Sequence, residues 1–105
     1  MKKRSLVLLL LLAFAGVVQA QTNPRGDAYY HFSKGRMFDE QGRSAQAIEE
    51  YKKALELDPN NSLIHSEIAD SYLKNNRVRE AVDSAEKAIQ SNPDNVEAHK
   101  LLRGV

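Results

Sequence analysis

The chain has no cysteine and no tryptophan, and only three prolines and five glycines in 105 residues. Without cysteine there is no disulfide, no thiolate nucleophile and no lipid anchor built on a thiol, so packing alone must hold the fold. No apolar run reaches the roughly 20 residues that a spanning helix needs. The longest is the uncharged stretch Leu6–Val18, which follows the basic start Met1-Lys2-Lys3-Arg4 and precedes Val18-Gln19-Ala20. That order is the three-part pattern of a secretory signal with cleavage after Ala20. The expected product is an exported protein, periplasmic or secreted, with no stable membrane span after cleavage. The lack of disulfides in so small an exported chain favours a bacterial envelope protein. A basic surplus is missing as well. Removal of residues 1–20 takes Lys+Arg from 15 to 12 against 14 Asp+Glu, and a net charge of about −2 argues against nucleic acid as a partner. There is no Gly-rich phosphate loop, and no segment alternates with strand periodicity.

What is present is a period. His31, His65 and His99 are 34 residues apart, as are Pro59 and Pro93, Ala47 and Ala81, and Ala54 and Ala88. A 34-residue interval is the length of a helix–turn–helix unit. Ala28–Asn61 lies over Ser62–Asn95 without a gap, and Val96 opens a third copy. Residues 21–27 are polar and rich in breakers and read as a tether, with Asp27 as a helix cap. Helical stretches follow at about Ala28–Gln41, Ala45–Leu57, Leu63–Asn75 and Val78–Ser91, with a fifth starting near Val96. Gly42-Arg43, Asp58-Pro59-Asn60-Asn61, Asn75-Asn76-Arg77 and Asn92-Pro93-Asp94-Asn95 separate them. In the second stretch Ala47, Ile48, Tyr51, Ala54 and Leu55 recur at three- and four-residue steps, with Glu49, Glu50, Lys52 and Lys53 on the other face. The fold class is all-α, built of stacked antiparallel helix pairs, with domain limits 1–20 (signal), 21–27 (tether), 28–61, 62–95 and 96–105 (two full repeats and the start of a third).

These residues resemble the tetratricopeptide repeat family. Gly35 and Ala69 hold its small site, Phe38 and Tyr72 its large aromatic site, and Ala47/Ala81 and Ala54/Ala88 its two alanine sites. Tyr51 holds the second aromatic site, and Pro59 and Pro93 close each unit. Lys34 stands where the family prefers Leu, Ala85 replaces the second aromatic, and His replaces the common Trp in all three copies. The resemblance implies a right-handed α-solenoid whose first helices line a groove for a protein or peptide partner. Carried across, the groove positions are Tyr29, Phe32, Arg36 and Asp39, then Leu63, Ser66, Asp70 and Leu73, then Glu97 and Lys100. Tyr29, Phe32 and Leu63 would be apolar surface without a core role. Members that clamp chaperone carboxylate tails use Lys and Asn where Phe32, Arg36 and Glu67 stand, so that clamp is not expected.

No catalytic residue, cofactor or metal site is assigned. Equivalent positions of stacked units are separated by a helix diameter, about 10 Å, too far for the three histidines to share an ion that requires ligands at about 2 Å. Asp39/Glu40 and Glu49/Glu50 read as solvated acids, and Ser44 and Ser62 as capping residues. The chain reads as a binding module and not an enzyme. Because the third unit stops at Leu101-Leu102-Arg103-Gly104-Val105, an alternative is an assembly unit that completes its core by self-association through Leu101 and Leu102. Another is the N-terminal piece of a longer repeat array, or of an enzyme whose catalytic domain follows.

Overall fold

The computed structural model describes residues 23–105, so the expected signal segment and the first part of the tether lie outside the described residues. Five helices follow in order: α1 (Pro24–Glu40), α2 (Ser44–Leu57), α3 (Ser62–Lys74), α4 (Val78–Ser91) and α5 (Val96–Gly104). Each packs on the next, and α5 also returns to α3. The result is an all-α repeat solenoid of two helix pairs and the opening helix of a third.

The first helix begins earlier than its sequence pattern predicts. Asn23, not Asp27, is the cap: its side-chain oxygen accepts from the Gly26 N–H at 3.1 Å, and Pro24 occupies the first turn. A cap followed by proline is a strong start, because proline's missing donor would be unsatisfied there anyway. Asp27 is absorbed into the first turn, where the positive end of the helix dipole favours its charge. The tether therefore gives up Pro24–Asp27 to α1. In the later units asparagine caps at the repeat boundary itself. Asn61 accepts from the Ile64 N–H at 3.2 Å, and Asn95 from the Ala98 N–H at 3.0 Å.

The turn inside each pair is the same device used twice. Gly42 and Asn76 both have positive φ, 74° and 60°, in the left-handed region that glycine and asparagine tolerate best. The Arg43 N–H then reaches the Phe38 carbonyl, and the Arg77 N–H that of Tyr72, both at 2.8 Å. Together with the Gly42–Asp39 and Asn76–Leu73 bonds this completes a Schellman motif at each helix end. The arginine side chains fold back over the aromatic rings, Arg43 at 5.2 Å from the Phe38 centroid and Arg77 at 4.8 Å from that of Tyr72. That explains why Arg43 and Arg77 are among the residues repeated identically. Ser44 and Ser62 do not cap. The caps before α2 and α4 are Arg43 and Arg77, without a side-chain bond. Ser62 instead donates to the Ala88 carbonyl at 2.7 Å, tying α3 to the end of α4.

Two apolar clusters run through the stack. The first gathers Ala47, Ile48, Tyr51, Ala54, Ile64, Ile68, Tyr72 and Ala81. The second is built almost entirely of alanine: Ala69, Ala85, Ala88 and Ala98. Ala47, Ala54, Ala81 and Ala88 have no exposed surface, consistent with helix axes that approach to about 8–10 Å.

Candidate functional site

The first helices α1, α3 and α5 stand side by side and form one continuous face. Arg36 on α1 reaches Glu67 on α3 at 3.5 Å, and the Ser71 hydroxyl on α3 donates to Asp39 on α1 at 2.7 Å. Three depressions open along it. One of 290 Å³ lies between the first turns of α1 and α3, among Ala28, Tyr29, Phe32, Leu63 and Ile64, with Arg25, Asp58 and Asn61 at its edge. A second, of 180 Å³, is polar and is lined by Arg36, Asp39, Glu40, Tyr51, Glu67 and Lys74. The third, of 540 Å³, lies between α3 and α5 and includes Leu73, Glu97, Lys100 and Leu101.

The predicted groove residues divide into two groups. Tyr29 and Leu63 are exposed, at 71% and 53%, and stand at the apolar depression. Arg36, Asp70 and Lys100 are also exposed, but each is engaged: Arg36 with Glu67, Asp70 with Lys74 at 2.8 Å, and Lys100 with Glu97 at 3.6 Å. Exposed pairs of this kind contribute about 0–1 kcal/mol each, so a ligand can displace them at small cost.

The remaining positions carry structure. Phe32 is half-buried and packs on the first apolar cluster, its ring 5.9 Å from that of Tyr51. It therefore does have a core role, contrary to the sequence expectation, while still lining the depression. Leu73 is likewise half-buried against the cluster. Asp39 accepts from the Tyr51 hydroxyl at 2.9 Å as well as from Ser71, so it clasps α1, α2 and α3 together instead of standing free in solvent. Burial pushes the Tyr51 phenol well above its ordinary pKa, and the Asp39 hydrogen bond adds to the shift. Ser66 is buried: its hydroxyl donates to the Ser62 carbonyl at 3.0 Å and accepts from the Asn95 amide at 2.8 Å. The α4–α5 connection covers it, so it does not line an open groove. Leu101 and Leu102, the expected association surface, are half-buried, Leu101 against both clusters and Leu102 against the second.

Lys74 joins the site without having been assigned to it, and Glu67 joins it from a position noted in the sequence only as unlike the chaperone clamp. Both were findable, since Glu67 lies one helical turn beyond Leu63 and Lys74 one turn beyond Asp70. Burial raises the Glu67 carboxyl above its ordinary value; Asp70 and Asp39 push the same way, and Arg36 opposes them.

On the opposite side of the first pair, Glu50 is not the solvated acid its position suggests. It is 6% exposed and receives His31 Nδ1 at 2.8 Å, Lys53 at 3.3 Å and Lys34 at 3.8 Å. Burial alone would raise its carboxyl, but the His31 and Lys53 hydrogen bonds and the Lys53 and Lys34 charges hold it below the usual range. The other histidines serve the turns. Nε2 of His65 donates to the Pro59 carbonyl at 2.7 Å and that of His99 to the Pro93 carbonyl at 2.8 Å. A carbonyl only accepts, so the proton must sit on Nε2.

Comparison with known proteins matches two family descriptions: "TPR repeat" over residues 35–76 and "Tetratricopeptide repeat" over residues 66–102. Sperm-associated antigen 1 of Mus musculus is 43% identical over 63 residues, and that of Rattus norvegicus 41% over the same length. Each match covers 60% of this chain and 7% of the relative, so the chain spans a small part of these proteins. Among solved structures it is similar to the second TPR domain of human RPAP3 in complex with the HSP70 peptide SGPTIEEVD. The TM-score is 0.72 at 26% identity, covering 75% of this chain and 66% of that one. It is also similar to the second TPR of Spaghetti (RPAP3) bound to the HSP90 peptide SRMEEVD, with a TM-score of 0.71 at 26% identity, covering 73% and 71%.

Proposed function

This chain belongs to the tetratricopeptide repeat family, and from that membership we propose that it is an interaction module that holds an extended segment of another protein on the α1–α3–α5 face. The observation that carries the reading is the apolar depression. Tyr29 and Leu63 are large, exposed side chains beside a half-buried Phe32, and aromatic side chains in desolvated pockets dominate interface energetics. The peptides held by the two solved relatives support the same use of the fold.

A displayed peptide library selected against the full chain, followed by titration of the enriched peptides, tests the reading. Tyr29→Ala and Leu63→Ala should each weaken binding about tenfold, in line with the loss expected at an interface anchor. Val78→Ala, at an exposed position on α4 away from the face, should leave it unchanged. Equal affinity in all variants would remove the assignment. Export belongs to the same proposal and rests on the basic start and the apolar run. Sequencing the N-terminus of the protein recovered from a bacterial envelope fraction should begin at Gln21, and retention of Met1 would overturn it.

A further inference from the structure

The charges on the α1–α3–α5 face are unequally available. In its middle stand four acids, Asp39, Glu40, Glu67 and Asp70, and two bases, Arg36 and Lys74. Both bases are committed: Arg36 lies 3.5 Å from Glu67 and 5.9 Å over the Phe32 ring, and Lys74 lies 2.8 Å from Asp70. Asp39 is satisfied by the Tyr51 and Ser71 hydroxyls, which bring hydrogen bonds but no positive charge. Four acids against two bases leave the middle of the face with a net charge of −2. The apolar depression at Tyr29, Phe32 and Leu63 adjoins it directly. Leu63 and Glu67 are one turn apart on α3, a rise of about 6 Å, and Asp70 lies about one further turn along. An extended peptide advances about 3.3 Å per residue, so it covers the distance from Leu63 to either acid in two or three residues.

We propose that the segment this face takes is basic and apolar: a large aliphatic or aromatic side chain in the Tyr29–Phe32–Leu63 depression, with a Lys or Arg two or three residues away against Glu67 and Asp70. The inference rests on the groove reading above and fixes the chemistry of its occupant. An acidic tail is disfavoured, because it must take Arg36 from Glu67 and then lie beside the released carboxylate. A cationic side chain meets a stretch in which acids outnumber bases, and it can share Glu67 or Asp70 with their exposed partners without stranding a carboxylate.

Two degenerate peptide pools test this against the full chain by fluorescence polarisation at about physiological salt. Each pool carries one large apolar residue. One has Lys or Arg two or three positions on, the other Asp or Glu there, and SRMEEVD serves as an acidic reference. The basic pool should bind at least tenfold tighter than the acidic pool or the reference. Glu67→Gln and Asp70→Asn should each reduce that preference severalfold while the variants still unfold cooperatively, and Leu63→Ala should weaken the basic pool. Equal or tighter binding of the acidic pool or SRMEEVD, with sensitivity to Leu63→Ala, would overturn the charge assignment and leave the groove reading standing. Binding of neither pool, or binding insensitive to Leu63→Ala, would remove both.

Discussion

The two helix pairs share a register but fill it differently, and the differences come in matched sets. In the first pair the buried Tyr51 ring lies against Gly35, where an added Cβ would stand 2.5 Å from Tyr51 Cε1. In the second pair the same two positions are Ala85 and Ala69, both fully buried. A large–none combination and a small–small combination fill the same gap. The tyrosine brings a hydroxyl that needs a partner, and Asp39 supplies it; the second pair, with no hydroxyl to satisfy, has Leu73 at the matching position. The histidine and its surroundings follow the same logic. His65 has the Pro59 carbonyl within reach, and the position of α4 that matches Glu50 is the small Ser84. His31 has no preceding proline turn and meets Glu50 instead. Register positions in this repeat are thus not independent, and a substitution at one is tolerated only with its companion.

Breaking the Tyr51–Gly35 set should have the largest effect. Tyr51→Ala removes a fully buried ring and leaves Asp39 with the Ser71 hydroxyl as its remaining donor. The cost should be about 3–5 kcal/mol, the range for large aromatic-to-alanine changes in a core, read as a shift of the urea midpoint or loss of the transition. Gly35→Ala in the native background should cost less, about 1–3 kcal/mol for overpacking, offset in part by the roughly 1 kcal/mol that alanine gains over glycine within a helix. The double variant recreates the second pair's solution, so the two changes should cost less together than their sum. Strict additivity would show that the sets are not coupled.

Asp39 is next. Asp39→Ala strands the Tyr51 hydroxyl in the core and removes the Ser71 clasp between units, at a cost of about 1–3 kcal/mol. Leu73→Ala, at the matching position, should instead act as a partial loss of apolar burial without orphaning a polar group. Comparing each with Tyr51→Phe separates the two mechanisms, because Asp39→Ala should become less costly once the hydroxyl is gone.

Glu50 and Glu67 make opposite contributions to the pH dependence of stability. Glu50 is held below its ordinary pKa, so the stability it contributes is fully present above about pH 4.3, the unfolded value, and is lost as pH falls through its lower folded value. Glu67 is raised, so the folded state holds its proton longer, and stability declines as pH rises from the unfolded value through the folded one. Thermal melts between pH 3 and 7 should show a shallower acid loss in Glu50→Gln and removal of the higher-pH decline in Glu67→Gln. Identical profiles for both variants and the parent chain would contradict the assignment.

The helix order, the turns and the alanine contacts were legible because they repeat, and a gapless 34-residue overlay fixes where each helix must start and stop. The exposure of Tyr29 and Leu63 was legible for the same reason. What escaped was the non-repeating part. Asp27 matches Asn61 and Asn95 in register, yet Asn23-Pro24 starts a helix one turn sooner, a local signal that overrides the repeat. Ser66 occupies a groove position but is covered by Asn95, 29 residues further along the chain. Glu50 lies on a charged face in helical projection, and only the placement of His31 and Lys34 from α1 encloses it.

The smallest expected effect tests the histidine ladder itself. His65 is 8% exposed and donates to Pro59, whereas His99 makes the matching bond to Pro93 in an exposed setting. Replacing a buried donor leaves its acceptor without a partner and loses about 1 kcal/mol of net hydrogen-bond stability; at an exposed site water takes the donor's place. His65→Ala should therefore lower the urea midpoint measurably, and His99→Ala by less than about 0.5 kcal/mol. Since the shared geometry is equal to within 0.1 Å, 2.7 against 2.8 Å, any difference between the two variants measures burial and not the bond. Equal losses would mean that the turn, and not its setting within the stack, determines what the histidine contributes.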